Sequence, residues 1–287
     1  MKINNDIVNF WKSLNEDFIK NNPFLKRVPQ FYVKPKENSI LFVGLNPSFQ
    51  KDRFNNLELK LNPNNFFESK IEEIDVIKIA EFGKKSHDEN EANYYGRYFD
   101  DLNYISNHLL DKYDGVNFEQ CDMFLMRETQ AGKVEKLIKS NNEFRVRQIE
   151  ILKEYVNQAK PRMIIIPNSI TSNNYMKYVL NISNQKFIAK NDELLKQILD
   201  IDQYIKKIDN DFKQTLNIKD NNGKHRVKEL YEKYRKNERY NNPKKLIKYS
   251  YEGKIPTILW KTFQHGHLSN LQREILILEL KQILELN

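Results

Sequence analysis

Asn46, His265 and His267 are polar side chains that follow apolar runs in loops rich in turn residues, an arrangement that can hold a reacting group. Asn46 stands in Gly44-Leu45-Asn46-Pro47-Ser48-Phe49, directly after the apolar run 39–44 (SILFVG). A proline-stiffened turn at the end of a strand presents polar side chains and backbone groups to a ligand. A carboxamide donates and accepts hydrogen bonds but is no useful general base, so it works by positioning. His265 and His267 lie in Gln264-His265-Gly266-His267-Leu268-Ser269-Asn270, and imidazole suits hydrogen-bond donation near neutral pH. The first loop is not a dinucleotide fingerprint, because the second and third glycines of GxGxxG are missing. The same residues also read as plain turn and helix-start signals: Asn-Pro-Ser is a common turn, and Leu268 fits a staple at a helix entry.

Other residues accompany these loops. Phe49 follows the first directly, and Tyr94 and Tyr95 open the aromatic run Tyr94-Tyr95-Gly96-Arg97-Tyr98. Most such aromatics serve packing, and one is enough to stack on a planar ligand. Arg127 and Glu128 follow the apolar run 121–126 (CDMFLM), and Asn168 follows 162–167 (RMIIIP). Asn168 suits the N-cap of a helix over 170–180. The stretch 224–248 holds ten Lys and Arg against three Glu, so its excess of seven accounts for nearly all of the chain's formal charge of +8. Its cations Lys224, Arg226, Lys228, Lys233, Arg235, Lys236, Arg239, Lys244 and Lys245 are interleaved with Tyr231, Tyr234 and Tyr240. That composition suits phosphate contacts with base stacking, although a solvated helix surface looks similar.

The elements that must position these residues follow from periodicity. Four apolar runs, at 39–44, 121–126, 162–167 and 256–263, read as strands, the first three short and continuous in the manner of buried parallel strands. Helical spacing predicts helices over 6–20, near 68–80, from Tyr98 to Leu109, from Val146 to Val156, over 170–180 and over 270–286. Leu194, Ile198, Ile201, Ile205, Ile208, Phe212 and Leu216 predict one long amphipathic helix over 192–217. The alternation argues for an α/β fold, a three-layer α/β/α arrangement around a central parallel four-stranded sheet. Its expected parts are a helical N-terminal extension (1–37), a main domain (38–180 and 255–287) and a basic helical insertion (181–254). Ligands of such sheets bind beyond the carboxyl ends of the strands.

Composition narrows the class. With 287 residues, 39% hydrophobic and 30% charged, the chain is globular and able to bury a large core. A pI near 9.2 favours an anionic partner, nucleic acid first. Cys121 is the single cysteine, which excludes an intramolecular disulfide and a cysteine-cluster metal site. The opening MKINNDIVNFW has no apolar core of signal-peptide length, and a cytoplasmic location is expected.

The segment ILFVGLNPSF at 40–49 resembles the first active-site motif of the uracil-DNA glycosylase superfamily: an apolar strand, Gly, a variable residue, Asp or Asn, then Pro. The Asn form is similar to the mismatch-specific uracil/thymine branch. The closing loop, with Leu268-Ser269 before a helix, resembles the superfamily's last motif, in which Pro-Ser stands where this chain has Gly-His. The resemblance implies a metal-free, cofactor-free enzyme that flips a nucleotide out of DNA and hydrolyses its base–sugar bond. Asn46 would position water, with Gly44, Leu45, Pro47, Ser48 and Phe49 around the substrate. Gln264, His265 or His267 would stabilise the departing base, His265 first and His267 second. Phe49, Tyr94 or Tyr95 would stack on the base, Leu268 would probe the duplex with Ser269 beside it at the substrate, and Arg127, Glu128 or Asn168 would read the base edge, although Arg127 and Glu128 equally suit a solvated or structural pair. The Asn that uracil-selective relatives carry after the second strand is replaced by Arg127-Glu128-Thr129-Gln130, which leaves the substrate base open.

Overall fold

The computed structural model describes residues 1–47, 71, 74–88, 104–105, 117–166, 169–182, 194–200, 245–251, 255 and 257–260, with helical positions 274, 277, 278 and 280. In chain order the elements are α1 (Lys2–Lys12), α2 (Glu16–Asn21), a 3-10 turn (Pro23–Lys26), β1 (Ile40–Gly44), α3 (Val76–Asp88) and β2 (Phe118–Asp122). There follow α4 (Ala131–Ser140), α5 (Asn142–Ala159), β3 (Met163–Ile166), α6 (Ser169–Tyr178), β4 (Leu194–Asp200), β5 (Lys245–Tyr251) and β6 (Thr257–Trp260).

These strands form one sheet in the order β2-β1-β3-β6-β5-β4. β1 pairs in parallel with β2 and β3, and β3 with β6, whereas β5 runs antiparallel to both β6 and β4. β1 and β3 are buried along their whole length, which is why their sequences are continuous apolar runs rather than alternating ones. Alternation along the strands sends Leu41, Val43, Cys121, Ile164 and Ile166 into one core with α1 and α5 residues such as Ile7, Trp11, Phe144 and Leu152. Ile40, Phe42, Met163 and Ile165 alternate with them and are equally buried.

The N-terminal segment belongs to that core. Phe10, Trp11 and Phe18 surround Phe144 of α5 with ring centroids 5.4, 6.2 and 5.4 Å away. Asn4 Nδ2 donates to Tyr32 O at 2.8 Å, and Tyr32 N donates back to Asn4 Oδ1 at 3.0 Å. This reciprocal amide pair ties α1 to the extended segment that runs past β2. There Lys36 N donates to Glu119 Oε1 (3.0 Å) and Tyr32 Oη to Asp122 O (3.4 Å).

Three sequence expectations are corrected. The four expected strands do pair in parallel, in the order β2-β1-β3-β6, but among the described residues the sheet holds six strands and is mixed, because β5 and β4 extend it in antiparallel fashion. The helix expected over 192–217 begins instead as strand β4, whose ladder with β5 pairs Leu194 with Tyr251 and Asp200 with Lys245. Pairing at the sheet edge, against a β5 sequence that carries Leu246, Ile247, Tyr249 and Tyr251, outweighs a helical spacing of apolar residues. The expected helical insertion over 181–254 therefore enters and leaves through strands. Finally, β2 covers Phe118–Asp122 rather than 121–126. Met123 to Met126 are buried as a loop against the loop after β1, so their hydrophobicity reflects burial and not a strand.

Helix α4, which carries Val134, Leu137 and Ile138 on its buried face, was not anticipated. Helix α5 starts where Asn141 Oδ1 accepts from Phe144 N at 2.9 Å, and it ends at Lys160 in the left-handed region (φ 41°). Among the described residues no helix is long and apolar enough to cross a membrane.

Candidate functional site

The chain leaves β1 for β2 on one side and reaches β3 on the other, which makes the carboxyl ends of β1 and β3 the topological switch point. Asn46 stands two residues past Gly44, the last residue of β1. The loop that holds it is zipped to the loop after β2. Met123 N donates to Gly44 O (2.9 Å), Phe124 N to Leu45 O (2.9 Å) and Glu128 N to Pro47 O (3.1 Å).

Asn46 completes the zipper with its side chain. Nδ2 donates to Glu128 O at 2.6 Å, Met126 O at 3.3 Å and Pro47 O at 3.1 Å. All three neighbours are carbonyl oxygens, so the amide nitrogen must be the atom that faces them. The donor half of Asn46 is thus committed to the fold. Oδ1 is left as an acceptor to which no described residue donates, so it can hold a water or a ligand hydroxyl through that water's own proton.

Arg127 and Glu128, which the sequence leaves open as base-edge readers or as a structural pair, engage the scaffold. Arg127 is 4% exposed; its Nε donates to Val28 O (3.1 Å) and its own carbonyl accepts from Arg27 Nη1 (2.8 Å). The Glu128 carboxylate meets Arg27 Nη1 at 3.3 Å and Lys133 Nζ at 3.9 Å, and it accepts from Gln130 N at 3.0 Å. A buried carboxylate so surrounded is compensated by its partners.

Asp122, in register with Gly44, was not singled out from the sequence. It is buried, and desolvation pushes its carboxyl up to about 7 against the opposing pull of Arg127. Burial, then the charges of Cys121, Asp122 and Tyr155, raises Tyr32 well above its ordinary value. The signal was present in the sequence as a lone carboxylate within the apolar run CDMFLM. A narrow cleft opens beside this cluster, lined among others by Gln30, Tyr32, Pro47, Lys84, Gln120 and Arg127. Lys84 meets the buried Glu119 there at 3.0 Å, which neutralises its charge.

Sheet direction places one more feature at this edge. β6 runs parallel to β3, β5 antiparallel to β6, and β4 antiparallel to β5. The end of β4 at Asp200 and the start of β5 at Lys245 therefore lie at the same edge as Gly44, Ile166 and Trp260. Residues 201–244, which lie outside the described residues, connect these two ends.

Of the sequence-derived site residues, Gly44, Leu45, Asn46, Pro47 and Arg127 are brought together, and Lys245 opens β5. Ser48, Phe49, Tyr94, Tyr95, Asn168, His265, His267, Leu268 and Ser269 lie outside the described residues. So do Lys224, Arg226, Lys228, Lys233, Arg235, Lys236, Arg239 and Lys244. Comparison with family models, with curated proteins and with solved structures finds no match to this chain.

Proposed function

We propose that the chain is a DNA N-glycosylase of uracil-DNA glycosylase type, with helices layered on both faces of its sheet, acting in the cytoplasm on a uracil-like or modified base. In this reading the base is flipped out of the stack, water attacks the sugar carbon, and the base–sugar bond breaks to leave an abasic site. The observation that carries it is the placement of Asn46 at the β1/β3 switch point, with its amide nitrogen held by backbone carbonyls and Oδ1 left to orient a water. Such a group supplies positioning rather than proton abstraction, which suits a base that departs readily as an anion. His265 or His267 stabilises that anion, one aromatic among Phe49, Tyr94 and Tyr95 stacks on the base, and no cofactor or metal takes part. The cations of 224–245 hold the DNA backbone, in keeping with the edge at which 201–244 joins the sheet.

Oligonucleotides that carry uracil, mismatched thymine, hypoxanthine or modified pyrimidines, tested for alkali-labile sites, decide the matter. Cleavage that disappears in Asn46→Ala supports the enzyme, and cleavage unaffected by that change sinks the role of Asn46. A second reading, a nucleic-acid or modified-base sensor without turnover, is favoured by the engagement of the Glu128 carboxylate with Arg27, Lys133 and Gln130 N, which occupies one group that could have read a base edge. It predicts salt-sensitive DNA binding that survives Asn46→Ala with no product from any of these substrates.

A further inference from the structure

Glu128 is held from two sides. On one side its backbone carbonyl accepts from Asn46 Nδ2 at 2.6 Å and its N–H donates to Pro47 O at 3.1 Å. On the other, its carboxylate meets Arg27 Nη1 at 3.3 Å, and the same nitrogen donates to Arg127 O at 2.8 Å. Arg127 Nε donates back to Val28 O at 3.1 Å, and Gln30 N donates to Leu125 O at 2.9 Å. Residues 27–30 thus clasp the loop 125–128. Nη1 carries two N–H bonds, so this one guanidinium nitrogen can serve a carbonyl and a carboxylate together, in a plane that the guanidinium holds fixed.

We propose that Arg27, 19 positions before Asn46 and outside its loop, is a positioning residue for the Asn46 carboxamide and acts on it through Glu128. It touches no substrate. It fixes the peptide that the Asn46 amide binds, and so sets where Oδ1 sits. The consequence for turnover rests on the glycosylase reading; the consequence for Asn46 itself does not.

The test therefore has two arms. In the first, the Asn46 side-chain amide resonances of the full chain, identified by their disappearance in Asn46→Asp, are followed by NMR in wild type, Arg27→Ala, Arg27→Lys and Arg147→Ala. Arg147, paired with Glu150 on the exposed face of α5, serves as a surface control. Arg27→Ala is expected to shift the Asn46 amide pair and to raise its solvent exchange by about tenfold or more, Arg27→Lys to recover part of this, and Arg147→Ala to change neither. In the second arm, Arg27→Ala lowers kcat by roughly tenfold to a hundredfold on any substrate whose cleavage needs Asn46, because a displaced positioning group costs about that much. KM stays unchanged.

Unchanged Asn46 amide signals in folded Arg27→Ala overturn the proposal, as does an equal shift in Arg147→Ala. Should Arg27→Ala fail to fold, Glu128→Gln removes the carboxylate that Arg27 holds and keeps the backbone groups that Asn46 and Pro47 use; it must reproduce the shift, or the proposal falls. Absence of any cleavable substrate would defeat the glycosylase reading and leave the first arm decisive.

Discussion

Asn46 Nδ2 donates to the backbone carbonyl of Glu128 at 2.6 Å, across 82 positions of the chain. That contact joins the loops after β1 and β2 at the point where an α/β sheet places its ligand. It also makes the sign of the Asn46 dipole a structural requirement, because its neighbours Met126 O, Glu128 O and Pro47 O are all acceptors.

Substitutions at Asn46 should therefore rank by charge as well as size. Asn46→Ala leaves carbonyls without their donor and is expected to cost about 1–3 kcal/mol. Asn46→Asp turns an anion toward three carbonyl oxygens and should be the less stable of the two at pH 8. Protonation supplies a donor, so the gap should narrow at pH 5. Urea denaturation at both values checks this, and Asn46→Asp as stable as wild type at pH 8 would refute the assigned orientation.

Asp122 predicts a pH dependence of stability. Its carboxyl is raised from 3.8 to about 7 by burial, so the folded state holds a proton that the unfolded chain releases. The contribution is fully present below the unfolded value and is lost as pH rises through about 7. Asp122→Asn, which keeps a neutral group of the same shape, should flatten that part of the profile. It should be more stable than wild type at pH 8 by roughly 2–4 kcal/mol, given about 1.4 kcal/mol per pH unit. Thermal denaturation from pH 4 to 9 measures both.

Charge at the carboxyl edge should govern affinity for nucleic acid. Asp200 and Lys245 end the β4–β5 ladder as partners, so an Asn-Gly turn can join them in place of 201–244. The shortened chain should keep a cooperative thermal transition and lose salt-sensitive DNA binding, with the slope of log K against log salt falling by about 0.9 for each phosphate contact removed. Undiminished binding would place the DNA-binding surface elsewhere.

Cys121 is buried in β2, and burial followed by the charges of Asp122 and Glu119 raises its thiol well above the ordinary value. Since the thiolate is the reactive form, a thiol reagent should modify native protein only at the rate of opening of the core. Rapid modification of the native protein would show that β2 opens locally.

Much of the fold was legible in the sequence. Runs such as ILFVG and MIII announce strands buried on both faces, and Ile7, Phe10 and Trp11 announce a helix that packs inward. Residues 194–200 misled because Leu194 and Ile198 are four apart, a spacing a helix would use, whereas their strand is decided by β5, which begins 45 positions beyond the end of β4. Met123 to Met126 misled because burial alone does not distinguish a strand from a loop packed against another loop.

At the candidate site, the sequence by itself determined which residue stands at the end of β1, since an apolar run that stops at Gly-Leu-Asn-Pro leaves little choice of chain path. It also determined that the positive charge is concentrated in one stretch. What Asn46, Arg127 and Glu128 do there was decided only by tertiary structure. Each has partners 80 to 101 positions away, and the direction of a hydrogen bond depends on which carbonyls the fold brings within 3 Å or so of the donor, a distance that spacing along the chain does not encode.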